Sequence, residues 1–170
     1  MTDTTAAALS PAELASRAEA GDAEAQIFYA RHLVEQGKGA ESFNWLVNSA
    51  KQGHPIAATE LGLRLVVGIN APSDVDAGVK WIDAAAKAGF PEALRWRALL
   101  YAAGVGTPLS FGPALNLLEL AAQGGEPSAM AQLSVVQACG IRDDATLEAF
   151  LNPPAPLLFS ESPWVVASEH

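Results

Sequence analysis

The stretch AKAGFPEA, residues 86–93, decides the fold because it ends one helix and begins the next within a few residues. Gly89 has no Cβ, so it suits the left-handed conformation that closes a helix. Pro91 suits the first turn of a helix, where a missing N–H costs no hydrogen bond. The stretch therefore predicts two antiparallel helices connected by a tight turn, which we call a joint.

The joint pattern occurs four times along the chain. Each copy has an alanine, a glycine three residues later, a proline or alanine two residues after that, and a final alanine. The copies are AEAGDAEA (18–25), AKQGHPIA (50–57), AKAGFPEA (86–93) and AQGGEPSA (122–129). The joint glycines, Gly21, Gly53, Gly89 and Gly125, are separated by about 32, 36 and 36 residues, and a fixed period in this range is typical of stacked helical repeats.

Other positions recur in register with the joints. A large residue lies eight positions before three of the joint glycines, with a small residue three positions earlier: Trp45 with Ser42, Trp81 with Gly78, and Leu117 with Ala114. A further glycine follows three of the joints by fifteen residues: Gly68, Gly104 and Gly140. The pattern predicts helices near 11–20, 23–36, 41–52, 55–67, 75–88, 91–103, 111–124, 127–139 and 143–151.

Four segments together resemble the Sel1-like repeat, a relative of the tetratricopeptide repeat. They are AKAGFPEA (86–93), LGLRLVVG (61–68), YAAGVG (101–106) and VKWIDAAAKAG (79–89). The resemblance covers roughly residues 14–140 and implies an all-α, right-handed α-solenoid of antiparallel helix pairs with about four repeats. Such a solenoid is usually a scaffold or adaptor surface.

The resemblance divides the chain into a disordered N-terminus (1–10), a helical repeat domain (11–151) and an extended, proline-rich tail or linker (152–170). Three features depart from the repeat pattern: the first repeat is short, Arg97 occupies a position that is expected to be apolar and buried, and Gln137 replaces an aromatic residue. Arg97 would need a carboxylate or backbone partner. The last helix pair is either a repeat or a cap.

Composition excludes several classes of function. The chain of 170 residues carries a formal charge of −9 and has no basic cluster, so we expect no nucleic acid and no membrane as a partner. His32, His54 and His170 lack metal-ligand spacing, and Cys139 is expected to be a small buried residue. We therefore expect no catalytic residue, no metal and no cofactor in this chain, and a cytoplasmic location.

The tetratricopeptide resemblance implies that the first helix of each repeat faces the concave side. Positions three, six, ten and thirteen after each joint glycine then form a groove for a protein or peptide ligand. The groove residues that we single out are Glu24, Arg31, Thr59, Leu63, Val66, Glu92, Arg95 and Leu99. We expect Arg95 to pair with an acidic or C-terminal group of the ligand. The alternative is that the apolar positions only pack one repeat on the next.

The tail leaves two functions open. In the first, the chain is a non-catalytic scaffold or adaptor that binds a protein or peptide, and its own tail is a candidate ligand through Phe159 and Trp164. In the second, SESPWVV (160–166) resembles the lead-in strand of prolyl-4-hydroxylase-like oxygenases that use iron and 2-oxoglutarate. The chain would then be the substrate-recruiting region of such an oxygenase, whose catalytic domain would follow His170.

Overall fold

The computed structural model describes residues 9–151, which form nine α-helices and no strand. The helices are α1 (Pro11–Glu19), α2 (Ala23–Glu35), α3 (Gly39–Lys51), α4 (Pro55–Val67), α5 (Val75–Lys87), α6 (Pro91–Ala103), α7 (Phe111–Gln123), α8 (Pro127–Ala138) and α9 (Asp144–Leu151). The predicted all-α fold is confirmed, and the predicted helix ends agree within two residues. The predicted extended tail (152–170) and residues 1–8 of the predicted disordered N-terminus lie outside the described residues.

The helices pack in antiparallel pairs along a solenoid, and most helix–helix contacts join neighbours in sequence. In the first three repeats the helix after the joint, which we call the A helix, pairs with the following B helix. The A helices are α2, α4 and α6, with α8 in the equivalent position of the fourth repeat, and the B helices are α3, α5 and α7. The last helix, α9, contacts α7. The central A helices α4 and α6 also touch each other, so their exposed residues lie on one side of the solenoid, the A-helix face.

Each joint closes the preceding helix with the same pair of hydrogen bonds. At Gly89, which has φ of 80°, the glycine N–H donates to the carbonyl of Ala86 at 2.9 Å. The next N–H, of Phe90, donates to the carbonyl of Ala85 at 3.2 Å. This Schellman pattern recurs at the other three joints. The alanine four residues after each glycine is completely buried, with 0% exposure at Ala25, Ala57, Ala93 and Ala129.

The helices α4 and α5 approach each other closely at two glycines. A Cβ added to Gly78 would lie 2.6 Å from the carbonyl oxygen of Gly62, and a Cβ on Gly62 would lie 2.7 Å from that of Gly78. The equivalent positions of the next repeat are Ala98 and Ala114, both buried in one cluster. Small residues at these positions therefore set the separation between the paired helices.

The first repeat is short because only residues 36–38 connect α2 to α3, whereas residues 68–74 connect α4 to α5. The helix α3 begins at Gly39, two residues earlier than the sequence predicts. Gly37, with φ of 76°, ends α2, and the Lys38 N–H donates to the Leu33 carbonyl at 2.8 Å. A Cβ on Gly39 would meet the side chain of Asn70 at 2.1 Å, so the missing side chain makes room for the loop of the second repeat.

The expectation that Cys139 is buried is wrong, because this residue is exposed. It is the C-cap of α8, a helix in which Ala129 alone is buried. No described helix covers the outer side of α8, so a residue at its C-terminal end stays in contact with solvent.

We predict that Gly89→Ala lowers the free energy of unfolding by about 1–2 kcal/mol, because the left-handed conformation is strained for a residue with a Cβ. The new methyl would meet no atom within 4 Å, so the loss measures backbone strain alone. Gly112→Ala is the control, since Gly112 is helical and also has open space around it. Urea unfolding of both variants checks this: equal stability of Gly89→Ala and wild type would contradict the left-handed joint.

We predict that Gly78→Ala destabilises the chain by about 1–3 kcal/mol for a different reason, the overpacking of two helices. The new Cβ would approach two backbone atoms, the Gly62 oxygen and the Val66 nitrogen, at 2.6 and 2.9 Å, and neither can rotate away. A thermal melt monitored by circular dichroism measures the loss. A wild-type melting temperature would show that α4 and α5 are not in close contact at this point.

Candidate functional site

The A-helix face is not uniform, because its four rows of residues differ in exposure. The row three residues after the joint glycine is accessible at Glu24 and Glu92, both exposed. The row at six residues is buried in the first two repeats, where Ile27 and Thr59 are each 2% exposed, and partly buried in the third, where the Arg95 side chain is 11% exposed. The rows at ten and thirteen residues are partly or fully exposed. A ligand on this face would therefore meet the first, third and fourth rows.

A small pocket of about 80 Å³ brings residues of three repeats together. Four of the predicted groove residues line it, and Ile56 and Glu60 complete the lining: the four are Arg31, Thr59, Leu63 and Glu92. Thr59 contributes little surface, since its hydroxyl donates to the Pro55 carbonyl at 2.8 Å and the residue is buried. The accessible groups are a cation from α2, an apolar side chain from α4 and a carboxylate from α6.

Ionic contacts between the first two repeats fix the positions of Arg31 and Glu60, which line the pocket. Glu60 accepts hydrogen bonds from Arg31, at 3.2 Å, and from Arg64, at 2.6 Å. Arg64 is only 8% exposed, and it also donates to the hydroxyl of Ser42, a completely buried residue of α3, at 2.9 Å. The Arg31 side chain keeps 48% of its surface exposed. Glu60 is therefore fully engaged, while Arg31 retains N–H groups that face solvent.

The remaining predicted groove residues lie elsewhere on the face. Arg95 contacts Glu126 of the next joint, with its Nε 3.3 Å from Oε2, and its guanidinium lies 4.3 Å from the centre of the Trp96 ring. This arginine is thus paired within the chain. Val66 packs in a cluster with Leu63, and Glu24 does not line the 80 Å³ pocket.

A second, larger pocket of about 390 Å³ lies between α6, α7 and α8. Leu99, a predicted groove residue, lines it together with Val135, which is 64% exposed and connects the pocket to solvent. The other lining side chains are apolar with one exception, Gln132. An apolar pocket with a single polar group suits an amphipathic side chain.

Among the described residues, no three histidine, cysteine or acidic side chains are placed to hold a metal ion, and none of the described helices is long and apolar enough to cross a bilayer. The carboxyls whose pKa is shifted, Glu13 and Asp143, lie at helix N-termini and line neither pocket. Hydrogen bonds from Ser10 lower the pKa of Glu13, and bonds from the Thr146 N–H and hydroxyl lower that of Asp143.

This arrangement of repeats occurs in solved structures. A Sel1 repeat protein from Oxalobacter formigenes has a TM-score of 0.63 and 30% sequence identity, covering 72% of this chain and 96% of that one. The chain belongs to the Sel1-like repeat family. No family model matches the sequence, and no curated protein sequence matches it.

Two further structures resemble this Sel1-like repeat protein. A protective antigen of uropathogenic Escherichia coli strains that displays an SLR fold has a TM-score of 0.71 and 27% identity. The match covers 84% of this chain and 32% of the antigen. Helicobacter pylori cysteine rich protein B has a TM-score of 0.59 and 16% identity, covering 74% of this chain and 98% of that one, and it shows the fold alone.

The position that departs from the Sel1-like pattern, Arg97, is buried at 7% exposure. Its guanidinium contacts the carboxylate of Asp83 on α5 and lies 4.0 Å from the centre of the Tyr101 ring. The expectation that Arg97 needs a carboxylate partner is confirmed. The equivalent residue of the second repeat, Leu61, is completely buried and apolar, as the pattern requires.

Sequence reasoning missed Glu60 and Gln132, two polar residues that line the pockets. Both lie seven residues after a joint glycine, in a row other than the four that were predicted to form the groove. The signal was present in the repeat alignment, since this row reads Glu60, Trp96 and Gln132 in successive repeats. The stretch 160–166, which carries the oxygenase hypothesis, lies outside the described residues, so that hypothesis stays a prediction.

We predict that Asp83→Asn lowers the free energy of unfolding by about 1–3 kcal/mol, because it leaves the buried Arg97 charge without its carboxylate. The Asp83 side chain is one-third exposed, which reduces the cost below that of a fully buried pair. In the double variant, Arg97→Leu introduces leucine, the residue that the second repeat has at the equivalent position, and the free energy of unfolding should recover. Urea unfolding of the single and double variants measures both effects.

Glu92→Gln is the control for this pair, since Glu92 is an exposed acid of α6 in no ion pair among the described residues. Its stability should stay within about 0.5 kcal/mol of wild type. An equal loss in Asp83→Asn and Glu92→Gln would show that the buried pair has no special role.

Proposed function

We propose that this Sel1-like repeat protein is a non-catalytic scaffold that binds a protein or peptide segment on its A-helix face. The observation that supports it most directly is the convergence of Arg31, Leu63 and Glu92, from three different repeats, on one pocket. These side chains keep accessible surface although neighbouring positions on the same helices are buried. The cytoplasmic location expected from the sequence stays a prediction.

The charges of the face favour a ligand with a basic residue next to an apolar one. Glu24 and Glu92 are exposed acids at the N-terminal ends of two A helices, whereas Arg31 is already paired with Glu60. The chain as a whole carries a charge of −9, which attracts a basic segment at long range. Leu63 lines the same pocket as Arg31 and Glu92, and it can contact an apolar side chain of the ligand.

The experiment is selection of a random peptide display library on the full chain, followed by affinity measurement of the enriched peptides. We expect basic and apolar peptides whose dissociation constant rises at least tenfold in Glu92→Lys, the size of a central interface contact. Leu63→Asp should weaken the same peptides. Because Leu63 is partly buried, circular dichroism must show that this variant is folded.

Leu120→Asp is the matched control, since Leu120 is a 51% exposed leucine of a B helix that lines neither A-helix pocket. The selected peptides should bind this variant with wild-type affinity. The proposal is overturned if no peptide is enriched, or if the enriched peptides bind Glu92→Lys and Leu120→Asp equally well.

A further inference from the structure

The 390 Å³ pocket has an exact counterpart between the second and third repeats, and there the space is filled. The pocket is lined by Leu99, Phe111, Leu115 and Leu118 among others. The residues thirty-six positions earlier, Leu63, Val75, Val79 and Ile82, belong to one hydrophobic cluster that also contains Trp96 and Leu100. The same repeat geometry thus gives a packed cluster at one interface and a pocket at the next.

Three smaller residues in the A helices contribute to the empty space. Trp96 and Leu100 of α6 correspond to Gln132 and Val136 of α8, and Val66 of α4 corresponds to Ala102 of α6; the smaller residues line the pocket. The indole of Trp96 is the largest group without a counterpart in this otherwise apolar site. Because the pocket opens to solvent at Val135, its apolar lining is in contact with water, and covering it with an apolar side chain is favourable.

Gln132 also brings an unsatisfied group to this pocket. Its Oε1 atom is buried and accepts no hydrogen bond within the described residues. A buried carbonyl oxygen without a donor costs free energy, so such groups are normally paired. The pocket lacks both an apolar aromatic volume and a hydrogen-bond donor, and an indole side chain supplies the two together.

We propose that Trp164 of the chain's own C-terminal segment fills this pocket, with its indole N–H donating to Gln132 Oε1. The four tryptophans of the chain are Trp45, Trp81, Trp96 and Trp164, and only the last lies beyond the described helices. Phe159 offers similar volume but no donor. The proposed occupant is therefore a tryptophan, the same residue type that Trp96 contributes to the interface between the second and third repeats.

The chain is long enough for this contact. The Asp144 carboxylate accepts a hydrogen bond from the Gly112 N–H at 3.3 Å, so α9 begins beside Phe111, a residue of the pocket lining. The eight residues of α9 extend about 12 Å along the helix axis. The thirteen residues from Leu151 to Trp164 span at most about 43–47 Å, several times what is needed to return to the pocket.

The test is ¹⁹F NMR of the full chain labelled with 5-fluorotryptophan, in which Trp164→Phe identifies the Trp164 resonance. We expect this resonance to lie away from that of free fluorotryptophan and to change little between H₂O and D₂O, because the indole is buried. It should move to the free position in Val135→Asp, which places a charge at the exposed edge of the pocket, and in Gln132→Phe, which fills the pocket from α8.

Leu120→Asp is again the control and should leave the Trp164 resonance unchanged. Gln132→Phe adds apolar volume to a pocket, so it should keep or raise the melting temperature, which separates displacement of Trp164 from unfolding. A Trp164 resonance at the free position in the wild-type chain overturns the proposal. So does a resonance that stays buried in both pocket variants.

A Trp164 resonance that moves to the free position on dilution would mean that the segment of a second copy occupies the pocket, and this also overturns the proposal. No external ligand takes part in the experiment. Its outcome is therefore independent of peptide binding at the Arg31, Leu63 and Glu92 pocket, and either result can hold while the other fails.

Discussion

At each of the four joints, a left-handed glycine and a completely buried alanine four residues later hold two helices in contact, and the rest of the solenoid depends on this contact. A larger residue at Ala57 or Ala93 would separate the helices, because both positions have no exposed surface. Since the joints recur at nearly constant spacing, the helix on which any other position lies follows from its distance to the preceding glycine.

The repeat register explains why one architecture contains three different interfaces. Seven and eleven residues after the joint, the second repeat has Glu60 and Arg64, which form an ionic network with Ser42. The third repeat has an apolar pair at these positions, and the fourth has a smaller pair beside a pocket. Consecutive helices pack against each other at all three interfaces, so the side chains at these positions contribute to whether an interface is polar, packed or open.

The helices were predictable from sequence because their ends are coded locally. Glycine and proline at a joint such as Gly89 and Pro91 act through the backbone of a few adjacent residues. The contacts of the site were less predictable, because they join distant residues. Arg31 and Glu60 are 29 positions apart, and whether Arg95 faces a ligand or Glu126 depends on how closely α6 and α8 approach. Exposure of Cys139 likewise depends on what packs outside α8.

The Glu60 network and the larger pocket give the two ends of the A-helix face a different character. Replacing a largely buried ion pair with apolar residues is often stabilising, so the pair of Arg64 and Glu60 is poorly explained by stability alone. Glu60 also accepts a hydrogen bond from Arg31, which holds that guanidinium beside the first pocket. Around Leu99 the lining is apolar apart from Gln132, and it leaves a pocket of about 390 Å³ that opens to solvent at Val135. The A-helix face therefore presents a fixed ionic cluster at one end and an apolar pocket at the other.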